Sequence, residues 1–445
     1  MSAFKAYDIR GIYNKDFDKT TVYKIGFFLP KLLNADTVLV GRDVRTTSDE
    51  IFDSLSQGIT DSGADVWDIG LSTTPMVYYC TNHFAVPASV MITASHNPAI
   101  YNGLKISRAK AVPVGSDSGL LDLKKMVYED EIIVSKKRGT IIQKDGRTPY
   151  LTFLKAFDLD ISNLKLAIDA SHGMANLLVK DLLGSEHTYL YDHFDGTFPA
   201  HEPNPLDVAN CADLEKAVLA SESDLGIIFD GDADRVMFLD ERGRFLQPDY
   251  VTALLGYYYL KKEQGTVLVD IRTSRSTTEY LKGLGAEVYT WKVGHSFAKN
   301  KLRELGAIFG GELAGHYYFR DFFNCDSGFW ATLIVLDVVS DLKKQGMTFG
   351  EFIDEVVVWA NSGELNFTLE DKDPAMEDLF ARYVTEDSPT AVMDFDGYRV
   401  EFSTWWFNVR KSNTEPYLRL VVEAENQTLL EEKVAELSAR IESFM

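Results

Sequence analysis

Three aspartates alternate with small residues in Asp230-Gly231-Asp232-Ala233-Asp234-Arg235, directly after the apolar run Leu225-Gly226-Ile227-Ile228-Phe229. In an extended loop alternate side chains point the same way, so three hard oxygens converge on a cation. All-oxygen ligands with open positions favour Mg²⁺ over Zn²⁺. The acids also fall at the first, third and fifth positions of a calcium-binding loop, with Glu241 at its twelfth. That alternative is rejected, because Arg235 stands where the loop needs a glycine and Val236-Met237-Phe238-Leu239 reads as a strand. An arginine directly after three carboxylates suits a site that handles a phosphate beside a metal.

Other loops carry complementary chemistry. Ser95, in Thr93-Ala94-Ser95-His96-Asn97-Pro98, follows the short apolar strand Val90-Met91-Ile92, where open α/β sheets put their ligands. Pro98 biases Asn97 away from helical geometry, which keeps the loop extended and its hydroxyl presented. Gly310-Gly311-Glu312-Leu313-Ala314-Gly315-His316 offers a carboxylate for hydroxyl groups and an imidazole able to move protons near neutral pH. Arg410-Lys411-Ser412-Asn413-Thr414 has the donor-rich, apolar-free composition of a phosphate cradle.

The elements that must position these loops repeat. Thr37–Val40, Val66–Ile69 and Val90–Ile92 read as strands, separated by a helix after Ser48 as N-cap and another opened by Pro75. Lys165–Asp169, His187–Tyr191 and Leu225–Phe229 form a second such unit, and Thr266–Asp270, Ala286–Thr290 and Ala307–Phe309 a third. Each unit ends in one of the polar loops, which amounts to shared topology at domain size. The remainder has alternating strands, including Thr404–Val409 and Leu418–Val422, and an amphipathic final helix with Leu430, Val434, Leu437 and Ile441 inward. The expected fold is α/β: three similar mixed α/β domains plus a C-terminal α+β domain around a central cleft. Domain limits of 1–145, 146–247, 248–355 and 356–445 result.

The 445 residues are too many for one core, and a 45% apolar, 25% charged composition is that of a soluble globular protein. No apolar run is long enough to span a membrane, and the first ten residues lack the apolar stretch of a secretion signal. Cys80, Cys211 and Cys325 are odd in number and widely spaced, as expected of a reduced cytoplasmic protein. A formal net charge of −22 repels nucleic acid and anionic lipid, so an anionic substrate needs a local basic patch inside an acidic shell.

These four loops, in this order along essentially the whole chain, resemble those of the α-D-phosphohexomutases, most closely the phosphomannomutase/phosphoglucomutase branch. The opening Ala6-Tyr7-Asp8-Ile9-Arg10-Gly11 and Asn413 resemble the mannose/glucose enzymes more than the glucosamine-phosphate ones. The resemblance implies that Ser95 is phosphorylated in active enzyme and that Asp230, Asp232 and Asp234 hold Mg²⁺ together with a phosphoryl oxygen on Ser95. It assigns Glu312 to sugar hydroxyls, and Arg410, Ser412, Asn413, Thr414 and Arg419 to the distant phosphate. Tyr7, Arg10, Lys105, Arg235, Arg272 and His295 match cleft-lining positions, Arg272 standing where relatives carry lysine. Ala314 stands where many relatives have serine and removes a hydroxyl donor to the sugar. The implied reaction interconverts hexose 1- and 6-phosphates, mannose and glucose, through a hexose 1,6-bisphosphate that also acts as activator. His316 is the first choice of base, with Arg10 and Lys105 assisting. Alternatives are a phosphoglucosamine mutase and a metal-dependent sugar phosphatase. The oligomeric state is left open.

Overall fold

The computed structural model describes residues 3–412 and 416–445, with the backbone alone at Glu386. Three sheets share one plan. In the second, strands Thr188–Leu190, Leu166–Asp169 and Leu225–Phe229 run parallel, and Val236–Asp240 and Phe245–Leu246 complete it antiparallel. The third repeats this with Glu287–Trp291, Thr266–Asp270 and Phe309–Gly311 parallel, followed by antiparallel Tyr317–Phe319 and Cys325–Asp326. The first places Asp65–Leu71, Thr37–Arg42 and Ala88–Ile92 in parallel, then Tyr101–Arg108 antiparallel. There the outer strand is Ile9–Ile12, from the start of the chain, and Ile141–Gln143 extends the opposite edge. Connecting helices cover both faces, so the parallel strands are largely apolar and Ala88–Ile92 is wholly buried.

This plan explains why the polar loops meet. The Ser95, Asp230 and Glu312–His316 loops each join the third parallel strand to the antiparallel fourth, at equivalent places in the three units. The last domain is different: a fully antiparallel sheet in the order Ala360–Thr368, Tyr417–Ala424, Trp405–Lys411, Tyr398–Glu401, Ala391–Met393, backed by helix Gln427–Glu442. Among the described residues no helix is long and apolar enough to cross a membrane.

Some expected boundaries move. Ser48 is the first helical residue rather than the N-cap, because its hydroxyl donates to Asp43 at 2.6 Å and Thr47 takes the cap position. The strand expected at Ala307–Phe309 lies at Phe309–Gly311, and Arg410 belongs to the strand Trp405–Lys411 rather than to a turn.

Buried polar bonds fix the last domain to the third. Glu423 accepts from the Arg275 amide at 2.7 Å and from the Ser274 hydroxyl, while Arg399 donates to the carbonyls of Ile271 and Thr273 at 2.9 and 2.6 Å. Asp249 lies close by, its Oδ2 accepting from the Ser274 amide at 2.8 Å and its Oδ1 without a hydrogen-bond partner among the described residues. Burial pushes its carboxyl up to about 7, against the pull of that amide and with help from Glu423 and Asp270. A folded-state pKa above the unfolded one gives stability that is fully present below the unfolded value and lost as pH rises through the folded one. At roughly 1.36 kcal/mol per unit, the loss is about 4 kcal/mol, spread between about pH 4 and 7. Asp249→Asn keeps an acceptor for Ser274 and removes the charge. Its melting temperature relative to wild type is expected to rise from pH 5 to pH 8 in differential scanning calorimetry. A difference independent of pH would show that the carboxylate is ionised without penalty.

Candidate active site

Ser95 is buried and sits at φ +51, a left-handed conformation. Its hydroxyl donates to Asp230 Oδ2 at 2.7 Å, across the boundary between the first and second sheets. Gly231 makes this approach possible, since a Cβ there would lie 2.5 Å from the Ser95 carbonyl oxygen. Asp230, Asp232 and Asp234 are all buried, with ligand atoms within 4.8 Å of one another. Their convergence does not come from strand-like alternation. The segment is a tight turn, with Ala233 at φ +58 and its amide donating to the Asp230 carbonyl at 3.2 Å.

The surroundings of the three carboxylates differ. Asp232 Oδ2 accepts from Lys105 Nζ at 2.7 Å and from the Thr74 hydroxyl, and Lys105 also donates to Asp234. Burial pulls the Lys105 ammonium down, but Asp232 and Asp234 outweigh it, so the side chain stays charged and is a poor base. Burial and the two neighbouring aspartates raise the Asp230 carboxyl well above its ordinary range. Burial also acts to raise Asp234, but Lys105 and His316 prevail and lower it. Asp232 Oδ1 and Asp234 Oδ1 are buried with no hydrogen-bond partner among the described residues. Two unpartnered hard oxygens in an acidic pocket are donors that fit a divalent cation.

Arg10 reaches the Ser95 loop, donating to Asn97 Oδ1 at 2.7 Å while pairing with Asp8. The Arg235 amide donates to Asp230 Oδ1 at 3.2 Å, and its side chain is 13% exposed with Nε 4.0 Å from Asp230 Oδ2. His316 is buried, its Nδ1 2.7 Å from Asp326 Oδ2 and 3.8 Å from Asp234 Oδ1. Lys299, itself buried, stands 2.7 Å from the other Asp326 oxygen and donates to the Tyr78 hydroxyl at 2.7 Å. Burial acts to raise the Asp326 carboxyl, but Lys299 and His316 hold it below the ordinary range.

Glu312 Oε1 accepts from the Gly294 amide and Oε2 from the Tyr318 hydroxyl, both at 2.7 Å, and burial raises its carboxyl. His295 packs edge-on to Tyr7 at 5.3 Å and lies 5.9 Å from the His316 ring. Burial, with Lys299 and Lys105 adding, keeps it neutral, and neither ring nitrogen has a hydrogen-bond partner among the described residues.

The remaining basic residues named from the sequence stand in ion pairs. Arg272 is fully buried, 2.8 Å from Asp270 and 2.9 Å from Glu364. Glu364 also pairs with Arg419 at 2.9 Å. Arg410 is buried at 3.3 Å from Asp396, whose other oxygen accepts from the Val293 amide at 2.8 Å. The Ser412 amide donates to the Tyr417 carbonyl at 2.9 Å, and Asn413 and Thr414 lie outside the described residues. Sequence reasoning missed Thr74, Asp326, Lys299, Glu364 and Asp396, because each meets the site through a tertiary contact that no local pattern marks.

Comparison with known proteins finds relatives along nearly the whole chain. Models of the phosphoglucomutase/phosphomannomutase alpha/beta/alpha domains I, II and III match residues 1–121, 148–243 and 247–358, and the C-terminal domain model matches 364–440. A phosphomannomutase of Salmonella montevideo is 36% identical, covering 98% of each chain. Phosphohexose mutases of Xanthomonas campestris pv. campestris are 37% identical with the same coverage. The crystal structure of a phosphoglucomutase/phosphomannomutase family protein from Burkholderia thailandensis superposes with a TM-score of 0.89 at 28% identity, covering 99% of this chain and 97% of that one. With four domain models in order and relatives this similar end to end, the chain belongs to the phosphoglucomutase/phosphomannomutase family of α-D-phosphohexomutases, isomerases of carbohydrate metabolism.

Proposed function

We propose that the protein interconverts hexose 1-phosphates and hexose 6-phosphates, of mannose and of glucose, through a phosphoserine at Ser95 and a hexose 1,6-bisphosphate. The observation that carries this reading is the hydrogen bond from Ser95 Oγ to Asp230, which ties a strained serine of one domain to three buried carboxylates of the next. Phosphoserine gives its phosphoryl group to the free sugar hydroxyl, the bisphosphate turns over, and Ser95 takes back the other phosphate. Phosphoryl transfer depends on positioning and charge more than on covalent help. Lys105 and Arg10 supply fixed positive charge, and Arg235 stands beside Asp230 to receive phosphate oxygens. Asp230, Asp232 and Asp234 would hold Mg²⁺, which when bound supplies further charge neutralisation at the phosphoryl group. His316 takes the proton of the attacking hydroxyl, with Asp326 orienting its ring and stabilising the imidazolium.

Each Glu312 oxygen keeps a lone pair beyond its one protein donor, enough for sugar hydroxyls. Tyr7 and the unpartnered His295 line the same space, and Arg272 acts from behind through Asp270 and Glu364. Arg410, Ser412 and Arg419, with Asn413 and Thr414, hold the distant phosphate, which displaces Asp396 as partner of Arg410. Domains at 1–145, 146–247, 248–355 and 356–445 go with this reading, the last closing on the cleft.

The test starts from enzyme stripped of phosphate, given mannose 1-phosphate with and without catalytic glucose 1,6-bisphosphate. No turnover is expected without the activator and full recovery with it. Turnover by verified unphosphorylated enzyme alone would remove the phosphoserine, and release of free phosphate instead of mannose 6-phosphate would favour a phosphatase. Glucose 1-phosphate should serve comparably, since no identified group is dedicated to the 2-hydroxyl. A preference above about a thousandfold, roughly 4 kcal/mol, would show that an unidentified residue reads it. Glucosamine phosphate as the preferred substrate would point to the other branch.

A further inference from the structure

Arg45 has no part in the proposed chemistry, yet its fully buried side chain is devoted to the loop that carries Ser95. Nη2 donates to the carbonyls of Ser95 and Asn97 at 2.8 and 2.6 Å, and Nη1 to those of Pro98 and Tyr101 at 2.8 and 3.0 Å. Its Nε and backbone amide donate to Asp43 at 3.2 and 3.0 Å, and Asp43 is braced in turn by the Ser48 hydroxyl. Phe198, from the second domain, covers the guanidinium at 5.0 Å. Beside it the chain comes so close that a Cβ on Gly196 would lie 2.2 Å from the Val44 carbonyl oxygen.

Four carbonyls from one short loop converging on one cation is an unusual use of a buried charge. The Ser95 carbonyl is buried and would lose this charged donor without Arg45, while the part-buried Pro98 carbonyl would keep only the Tyr101 amide, which donates to it at 3.0 Å. The need for it lies in the backbone. Ser95 is held at φ +51, a conformation that a residue with a Cβ keeps only where its surroundings impose it. The carbonyl of Ser95 is gripped while its Oγ faces Asp230. A guanidinium can do this because its planar fork places several donors at fixed angles, whereas the lysine ammonium is a point charge on a flexible stem.

We propose that Arg45 is a positioning residue for phosphoryl transfer, fixing the carbonyls of residues 95 to 101 so that the Ser95 hydroxyl, or its phosphate, stays aligned with the metal-binding carboxylates. This rests on Ser95 being the phosphoryl carrier. Arg45 touches no reacting atom, and its loss acts through geometry. A misplacement of about 1 Å in such a site costs on the order of 10²-fold in rate.

The test uses the full-length enzyme and the variant Arg45→Lys, which keeps the charge beside Asp43. Mass spectrometry of wild-type enzyme first locates the phosphate, and its absence from Ser95 would remove the parent reading and this one with it. With Ser95 phosphorylated, Arg45→Lys is expected to lower kcat about 10²-fold while KM for mannose 1-phosphate changes less than about threefold. Mn²⁺ affinity and cooperative thermal unfolding should stay as in wild type, and the single-turnover rate of phosphoryl transfer from Ser95 should fall with kcat. In Arg45→Ala, added methylguanidinium should restore part of kcat. Wild-type kcat in the lysine variant, a rise in KM alone, or a loss of activity matched by a loss of cooperative unfolding would each overturn the assignment.

Discussion

Ser95→Ala is expected to abolish hexose phosphate interconversion and leave the folded protein in place. The substitution removes a single oxygen from a buried position. Alanine meets the same left-handed backbone with the same Cβ, and the grip on the loop carbonyls does not involve the hydroxyl. The lost bond to Asp230 leaves that carboxylate with the Arg235 amide. The chemical loss should be total, because Ser95 is the proposed phosphoryl carrier and alanine leaves no hydroxyl in its place against Asp230. A fall of about 10⁴-fold or more in kcat, corresponding to roughly 5.4 kcal/mol, is the minimum this role requires. Coupled assay of mannose 6-phosphate formation measures it, and unchanged Mn²⁺ binding and melting temperature would separate it from misfolding. Phosphopeptide mapping should find phosphate on Ser95 in wild type and nowhere in the variant. Turnover within tenfold of wild type would assign the phosphoryl carrier to another group.

The parts of this site legible in the sequence are those whose signal is local. Short apolar strands followed by polar loops place Ser95, the three aspartates and Glu312–His316, and the structure puts these loops at equivalent ends of three sheets. The reason the aspartates converge was not legible. Alternation in an extended chain is the simple argument, whereas the real device is a turn through Ala233, which side-chain pattern alone does not reveal. Ser48 illustrates the same limit: its type suits a cap, but Asp43, five residues earlier, claims its hydroxyl. The larger omissions are tertiary. Asp326 comes within 2.7 Å of His316 only because the antiparallel strand Cys325–Asp326 folds back beside Tyr317–Phe319, and Thr74 reaches Asp232 from another domain. Arg272 and Arg410 are readable as cations, but not as cations already held in ion pairs, since docking of the last domain brings Glu364 to Arg272 and the fold of that domain's own sheet brings Asp396 to Arg410.

Asp232→Asn is the sharpest test of how the carboxylate cluster works. Asp232 Oδ2 already serves Lys105 and Thr74, while its Oδ1 and that of Asp234 are the buried oxygens without partners among the described residues. An amide at this position keeps one acceptor and loses the charge. If the amide oxygen stays with Lys105 and Thr74, its NH₂ group replaces the unpartnered oxygen that a cation needs. If it turns the other way, the NH₂ group faces the Lys105 ammonium. Either orientation weakens the site, and neither can be repaired by rotating the side chain. Mg²⁺ affinity measured by calorimetry should therefore fall in the variant, and kcat should drop about 10²–10³-fold, the roughly 2.7–4 kcal/mol typical of losing one preorganised electrostatic group. Saturating Mg²⁺ should recover only the part due to occupancy, because Lys105 has also lost one of its two carboxylates. Chelator-treated wild type should resemble the variant in activity and, unlike it, recover fully when Mg²⁺ is returned. Wild-type Mg²⁺ affinity in Asp232→Asn would place the cation elsewhere, and undiminished turnover in the presence of chelator would leave Lys105, Arg10 and Arg235 to neutralise the phosphoryl group alone.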